Sequence, residues 1–251
     1  MSPNTSLEDR TCLVTGGSRG IGAATAITLG QAGAEVAVNY KSSLESAEQT
    51  VETINETGGS AIPVQANVAE LEEIQAMADE VHDAFGTLDI LVNNAGITKD
   101  TRFDRMSDAD WHNVIDVNLH GTFYCTRAFY EDLIGSDYGR LINVSSIVGL
   151  QGNYGQANYA ATKAALIGFT RTLSREMGRY GSTANCVAPG FTMTDMLKVV
   201  DEEIQEKIKQ KITLGRFATP EEVAGVISFL AGPDASFVTG EVINVNGGMS
   251  I

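Results

Sequence analysis

Residues 11–22 read Thr11-Cys12-Leu13-Val14-Thr15-Gly16-Gly17-Ser18-Arg19-Gly20-Ile21-Gly22. A short apolar run ends in a glycine cluster, and a helical pattern follows over Ile21–Ala32. Glycines permit a tight turn and let the backbone approach a diphosphate without a Cβ in the way. A helix N-terminus offers unpaired N–H groups and a partial positive charge to the same anion. The glycine spacing is G-x-x-x-G-x-G over Gly16, Gly20 and Gly22, not G-x-G-x-x-G. Alone, the cluster leaves a plain strand-to-helix turn open, whereas a strand before and a helix after point to a nucleotide.

The same alternation continues outward from this loop. Strands are predicted at Thr11–Thr15, Glu35–Tyr40, Ala61–Gln65, Ile90–Asn93, Arg140–Val144, Thr183–Ala188 and Val242–Val245. Helical patterns lie near Ile21–Ala32, Leu44–Thr57, Leu71–Phe85, Asp108–Ile134 and Gln156–Tyr180. A further helix is signalled by Pro220 followed by Glu221 and Glu222, which places acids at the positive end of the dipole. Runs without alternation, such as Cys12–Val14 and Ile90–Val92, suit strands buried on both faces. The expectation is an α/β chain, a doubly wound parallel sheet with helices on both faces. No repeat or linker divides residues 1–251, so one domain is the simplest reading. The segment Phe191–Gly215 breaks the rhythm and is read as a lid or a plain surface helix.

Composition removes several function classes. The net charge of −15 repels phosphate and excludes a generic nucleic-acid binder. No apolar stretch of about 18 residues crosses a membrane. The polar start MSPNTSLEDR has no apolar core of a signal peptide. Cys12, Cys125 and Cys186 are too widely spaced for a metal knuckle or redox pair, and they are read as buried thiols of a cytoplasmic protein. No metal site is expected, and His82, His112 and His120 are assigned no catalytic role.

From Thr15 to Gly22 the sequence resembles the short-chain dehydrogenase/reductase family, whose dinucleotide loop reads T-G-x-x-x-G-I-G. The resemblance spans nearly the whole chain. Asn93-Asn94-Ala95-Gly96 matches N-N-A-G, and Tyr159-Ala160-Ala161-Thr162-Lys163 matches Y-x-x-x-K. Pro189-Gly190 follows the sixth strand, and Val245-Asn246-Gly247-Gly248 matches V-N-G-G. It implies a Rossmann-type sheet and a nicotinamide cofactor held by Gly16, Ser18, Arg19, Gly20, Ile21 and Gly22, by Asn94, Ala95 and Gly96, and by Pro189, Gly190, Thr192 and Thr194. By family spacing Tyr40 occupies the ribose slot at the end of the second strand, where an acid would favour NAD. With Asn39, Lys41 and Ser42 around it and Arg19 nearby, the expected cofactor is NADPH. Asn67, with Val68 beside it, stands where the family often contacts adenine, and its amide oxygen can accept the adenine amine.

Tyr159 and Lys163 lie four apart, on one helix face. A tyrosine near pKa 10 is a poor proton donor at neutrality, and a nearby ammonium is expected to lower it. On spacing alone such a pair is ordinary; the surrounding motifs turn it into a general acid. The resemblance assigns carbonyl binding to Ser146, with Ser145 its rival. Asn118 matches the fourth catalytic residue, where it holds a helix distortion and a water linking the lysine to solvent. The implied reaction is hydride transfer to a ketone, with Tyr159 as proton donor and Lys163 also binding the nicotinamide ribose.

Within the family the nearest likeness is to 3-oxoacyl-thioester reductases, carried by Gly152–Tyr159, Ala188–Phe191 and Thr194-Asp195-Met196. Two positions often arginine in docking an acyl carrier protein read Asp137 and Tyr180, with Arg179 beside the second. A −15 surface is a poor partner for an acidic carrier. The favoured expectation is therefore an acetoacetyl-CoA reductase feeding polyhydroxyalkanoate synthesis. The alternatives are a 3-oxoacyl-acyl-carrier-protein reductase of fatty-acid synthesis, or a reductase of a sugar or small ketone. A homotetramer is implied by the family. The acid excess, with only seven lysines, fits either ordinary variation or a protein working in concentrated salt.

Overall fold

The computed structural model describes residues 6–136, 138–194, 197 and 201–249. Seven strands form one parallel sheet: β1 Thr11–Val14, β2 Glu35–Tyr40, β3 Ser60–Gln65, β4 Ile90–Asn93, β5 Arg140–Val144, β6 Thr183–Pro189 and β7 Val242–Val245. Their spatial order is β3-β2-β1-β4-β5-β6-β7. The order reverses between β1 and β4, which pair through Cys12↔Ile90 and Val14↔Val92. The carboxyl ends of these two strands therefore open the crevice where a doubly wound sheet binds its ligand.

Alternate side chains of each strand feed two cores, one on each face. Val14, Val36, Val38, Ile90, Val92, Ile142 and Val187 pack on one side. Leu13, Ala37, Val64, Leu91, Leu141 and Ala184 pack on the other. The first core is covered by α1 (Gly20–Gln31), α2 (Leu44–Glu56) and a helix at Pro220–Ala231. The second is covered by α3 (Leu71–Phe85), α5 (Gly121–Ala128) and α8 (Ala157–Met177). Burial on both faces explains why these strands read as unbroken apolar runs.

The strand expectations hold to within a residue at their ends. The single helix expected over Asp108–Ile134 does not. It is broken into α4 (Asp108–Ile115), a π-helical turn (Asp116–His120), α5 and α6 (Tyr130–Gly135). The π turn inserts one extra residue per turn at Asn118, and Phe129 leaves helical geometry at φ −104° and ψ 11°. Apolar periodicity survives both events, so it could not reveal them. A short helix, α7 (Ile147–Gln151), follows β5 and had no periodic signal. α8 ends at Met177, and a 3₁₀ turn over Gly178–Tyr180 leads to Gly181 in the left-handed region.

Between β6 and the last helix, α9 (Glu202–Lys209) is exposed. Beneath this segment Leu197, Ile212 and Phe217 gather with Phe191, Ile208 and Met249. Asp195 and Met196, which carried part of the sequence likeness, lie outside the described residues, as does Asp137. α10 (Pro220–Ala231) opens with a full capping box, Thr219 accepting from the Glu222 amide and the Glu222 carboxylate receiving the Thr219 amide.

Candidate active site

Three strands converge on the glycine loop through side-chain bonds. The Thr15 hydroxyl accepts the amides of Asn94 and Ala95, both at 3.0 Å. The Asn94 amide nitrogen donates to the carbonyls of Thr15 (2.9 Å) and Gly16 (3.1 Å). Asn39 accepts the Gly16 amide at 3.1 Å and donates to Val64 and Ala66. Asn39 and Asn94 thus hold the loop that a cofactor would touch. Gly16 sits at φ +62° and Gly20 at +57°, a region that favours glycine. A Cβ on Gly22 would lie 2.2 Å from the Gly16 carbonyl, so no other residue fits there. α1 has no side-chain cap, and its first turn faces the crevice with free amides. Ser18 and Ile21 are half-buried in the loop and Arg19 is exposed. This cradle fits a dinucleotide diphosphate. Thr194 lies across it, near enough that a Cβ on Gly20 would meet its methyl at 3.3 Å.

At the ribose end Tyr40 is buried, its ring packed in the apolar cluster fed by β2. Lys41 and Ser42 are exposed beyond it, so they and Arg19 are the groups able to reach a ribose phosphate. The Asn67 amide oxygen already accepts the Ala69 amide at 3.3 Å, and the Asn67 backbone amide donates to Glu73. Val68 is buried under Gly121, where a Cβ would come within 2.8 Å of it. At the other end Gly190 follows buried Pro189 and donates to the Val245 carbonyl. Buried Thr192 bonds back to Gly190 and bridges to Ala218.

The reacting centre forms where β5 and α8 approach. Ser146 caps α7, accepting the Val148 amide at 3.1 Å, and its hydroxyl lies near enough to the Tyr159 phenol to draw its pKa down. Ser145 turns away and donates to the Lys163 carbonyl at 2.7 Å. The two serines are thereby separated into one facing the tyrosine and one fastening α8. Lys163 is buried, and its ammonium donates to the Val144 carbonyl at 2.7 Å. Burial lowers its pKa from 10.5 to about 8. A Cβ on Gly96 would lie 3.4 Å from both the Lys163 ammonium and the Asn118 amide oxygen.

One expectation is corrected. Lys163 was expected to depress the Tyr159 pKa. The phenol is instead raised, chiefly by burial and further by the Asp100 carboxylate, with only the Ser146 hydrogen bond acting downward. The ammonium stands 5.6 Å from the ring centroid and spends a proton on Val144.

Asn118 sits fully buried in the π turn, as the expected distortion required. It accepts the Ile97 amide at 2.8 Å and donates to the Ile97 carbonyl (3.0 Å) and the Thr162 hydroxyl (3.2 Å). Residues not singled out from sequence also enter the site. Gln156 donates to Asp100 at 2.8 Å, and buried Asn158 bonds to three segments around Tyr159. Both lie in the Gly152–Tyr159 stretch that carried the sequence likeness, with no role assigned to either, and Asn158 also stands as a polar residue at a helix start. His82 pairs with Asp132 and His120 with Asp116, both outside the site. Among the described residues no group of three His, Cys, Asp or Glu side chains is placed to hold a metal. All three cysteines are buried and unpaired.

A glycine cradle at the sheet's switch point, beside a tyrosine in contact with a serine and a buried lysine, defines a dinucleotide-dependent oxidoreductase. Comparison with known proteins narrows the class. A family model described as enoyl-(acyl carrier protein) reductase matches residues 16–250. A 3-oxoacyl-[acyl-carrier-protein] reductase of Synechocystis is 49% identical over 98% of both chains. The 3-oxoacyl-[acyl-carrier-protein] reductase FabG of Aquifex aeolicus is 47% identical over 97% of this chain and 98% of its own. That of Staphylococcus aureus is 46% identical over 96% and 98%. The crystal structure of a dehydrogenase/reductase from Sinorhizobium meliloti 1021 superposes with a TM-score of 0.94 at 38% identity, covering 99% of this chain and 98% of that one. The chain belongs to the short-chain dehydrogenase/reductase family, and it is an oxidoreductase using a nicotinamide dinucleotide.

Proposed function

We propose that the chain is an NADPH-dependent 3-oxoacyl-acyl-carrier-protein reductase of fatty-acid synthesis, acting in the cytoplasm on the 3-oxo group of an acyl thioester. The observation that carries the chemistry is the Ser146–Tyr159 contact beside buried Lys163 under the glycine cradle. The carrier reading is supported by relatives at 46–49% identity that bear that name. It replaces the expectation of a CoA ester, which rested on total charge and on Asp137 and Tyr180 standing at two docking positions. That total is unevenly spread. Residues 42–98 carry eleven acids and no Lys or Arg, while the remaining 194 residues carry 21 acids against 17 basic residues. An acidic carrier meets a nearly balanced surface once it avoids α2 and α3, and local patches govern docking.

The dinucleotide, when bound, supplies the hydride. Ser146 holds the substrate carbonyl oxygen by its hydroxyl, and Tyr159 delivers a proton to that oxygen as it becomes an alcohol. Lys163 binds the nicotinamide ribose. Asn118 keeps the loop at Ile97 against α8 and completes the proton path from Lys163. Arg19, Lys41 and Ser42 receive the 2′-phosphate that distinguishes NADPH. The described residues 201–215 belong to the lid of a single domain, and four copies assemble.

The test is loss of nicotinamide absorbance with acetoacetyl-acyl-carrier protein and, beside it, acetoacetyl-CoA. Faster turnover of the carrier-bound substrate is expected. A strong preference for the CoA ester would return the chain to storage-polymer precursor supply. Inactivity with both would sink the thioester reading. Tyr159→Phe is expected to lower turnover about 10²- to 10⁴-fold while NADPH still binds, as measured by fluorescence titration.

A further inference from the structure

α8 begins without a conventional cap. Its N-cap residue, Gln156, makes no capping bond to the helix, since its amide is taken by Asp100 and Asn153. Tyr159 occupies the third helical position, where a backbone N–H has no partner inside the helix. Asn158, one residue earlier and fully buried, supplies that partner. Its side-chain oxygen accepts the Tyr159 amide at 2.8 Å. Its NH₂ group donates at 3.3 Å to the Lys99 carbonyl, in the loop after β4, and at 3.3 Å to the Asp110 carbonyl, in α4.

We propose that Asn158 is a positioning residue for the proton donor: a buried amide that fixes the backbone of Tyr159 to the loop 97–101 and to α4. The inference rests on the reductase reading above. The same loop is held at Ile97 by both hydrogen-bonding ends of Asn118, which also grips α8 through Thr162. Two amides therefore rivet one loop to one helix, a turn apart, on either side of Tyr159. Thr101 adds a third tie, its amide donating to the Gly155 carbonyl at 2.8 Å. The tyrosine must meet a carbonyl oxygen held by Ser146, which stands on a different element, α7. A displacement of about 1 Å is enough to cost about a hundredfold in rate. Asn158 touches neither cofactor cradle nor Ser146 through any of its bonds, so its effect is on placement and not on binding.

The experiment compares Asn158→Ala and the isosteric Asn158→Asp with the unaltered chain. Asn158→Asp keeps an acceptor for the Tyr159 amide and loses both donors, so it tests the tether even where Asn158→Ala folds poorly. Turnover is expressed per NADPH-binding site, counted by titration. For each variant kcat is expected to fall about tenfold to a hundredfold, with the NADPH dissociation constant within about twofold. The isotope effect from NADPH deuterated at the transferred position is expected to rise, because the hydride step becomes more limiting. Unchanged kcat per site in both variants overturns the proposal, even with a lower melting temperature, since that outcome marks a purely structural residue. A fall in kcat matched by an equal loss of NADPH affinity overturns it too. Absence of turnover in the unaltered chain would instead sink the reductase reading on which the proposal rests.

Discussion

At the scale of single residues, the site depends on what burial does to charge. Lys163 is buried with a carbonyl and no carboxylate beside its ammonium, and its pKa falls from 10.5 to about 8. Below pH 8 the lysine is charged in both folded and unfolded chains, and burying that charge opposes folding. Between about pH 8 and 10.5 the unfolded chain binds the proton and the folded one does not, so stability contributed by this group rises with pH. Lys163→Met is therefore expected to be the more stable protein at pH 7, by up to about 3 kcal/mol, while losing activity. Urea unfolding from pH 7 to 10 should show that advantage shrinking as pH rises. A constant difference would mean that Lys163 is not held as an uncompensated cation. Tyr159 is shifted the other way, upward by burial and by Asp100, so it is protonated at neutrality. The Y-x-x-x-K pattern was plain in the sequence. That the lysine reaches the Val144 carbonyl was not, because Val144 lies on another element, nineteen residues earlier.

At the scale of elements, local chemistry fixed the ends of helices better than their continuity. Pro220 with Glu221 and Glu222 announced α10, and the capping box at Thr219 and Glu222 is there. Arg216 adds a bidentate contact to Glu222, which keeps that carboxyl near pKa 2. Thr219→Ala should cost about 1 kcal/mol of stability, read as a lower urea midpoint at unchanged slope. No change would place the cap's weight on Glu222 and Arg216 instead. The break of the expected Asp108–Ile134 helix is the counterexample. Its π turn depends on Asn118 reaching Ile97 and Thr162, which are partners on other elements. No pattern within the helix itself encodes them. Ser145 and Ser146 show the same division: adjacent in sequence and alike in chemistry, they were separated in sequence only by the family resemblance, and physically by which way each faces where β5 meets α8.

At the scale of the whole molecule, charge is segregated, with the acid excess gathered on α2 and α3 beside the β2–β3 edge of the sheet. Within each of these helices like charges repel one another, and salt screens them within about 8–10 Å. The melting temperature is expected to rise between low salt and molar KCl. An unchanged melting temperature would count against an acidic surface adapted to salt. The glycine loop, the strand pattern and the Tyr159–Lys163 spacing were determined by the sequence alone, because each rests on contacts within a few residues or on a two-sided burial that apolar runs report directly. Tyr40 packing into the apolar cluster, Asn39 and Asn94 serving the loop, and Asn158 tying Tyr159 to Lys99 and Asp110 were decided only by tertiary structure. The physical reason is common to all of them. A polar side chain takes whichever partner the fold brings within about 3 Å, and that partner lies on another element, at a distance along the chain that no local pattern records.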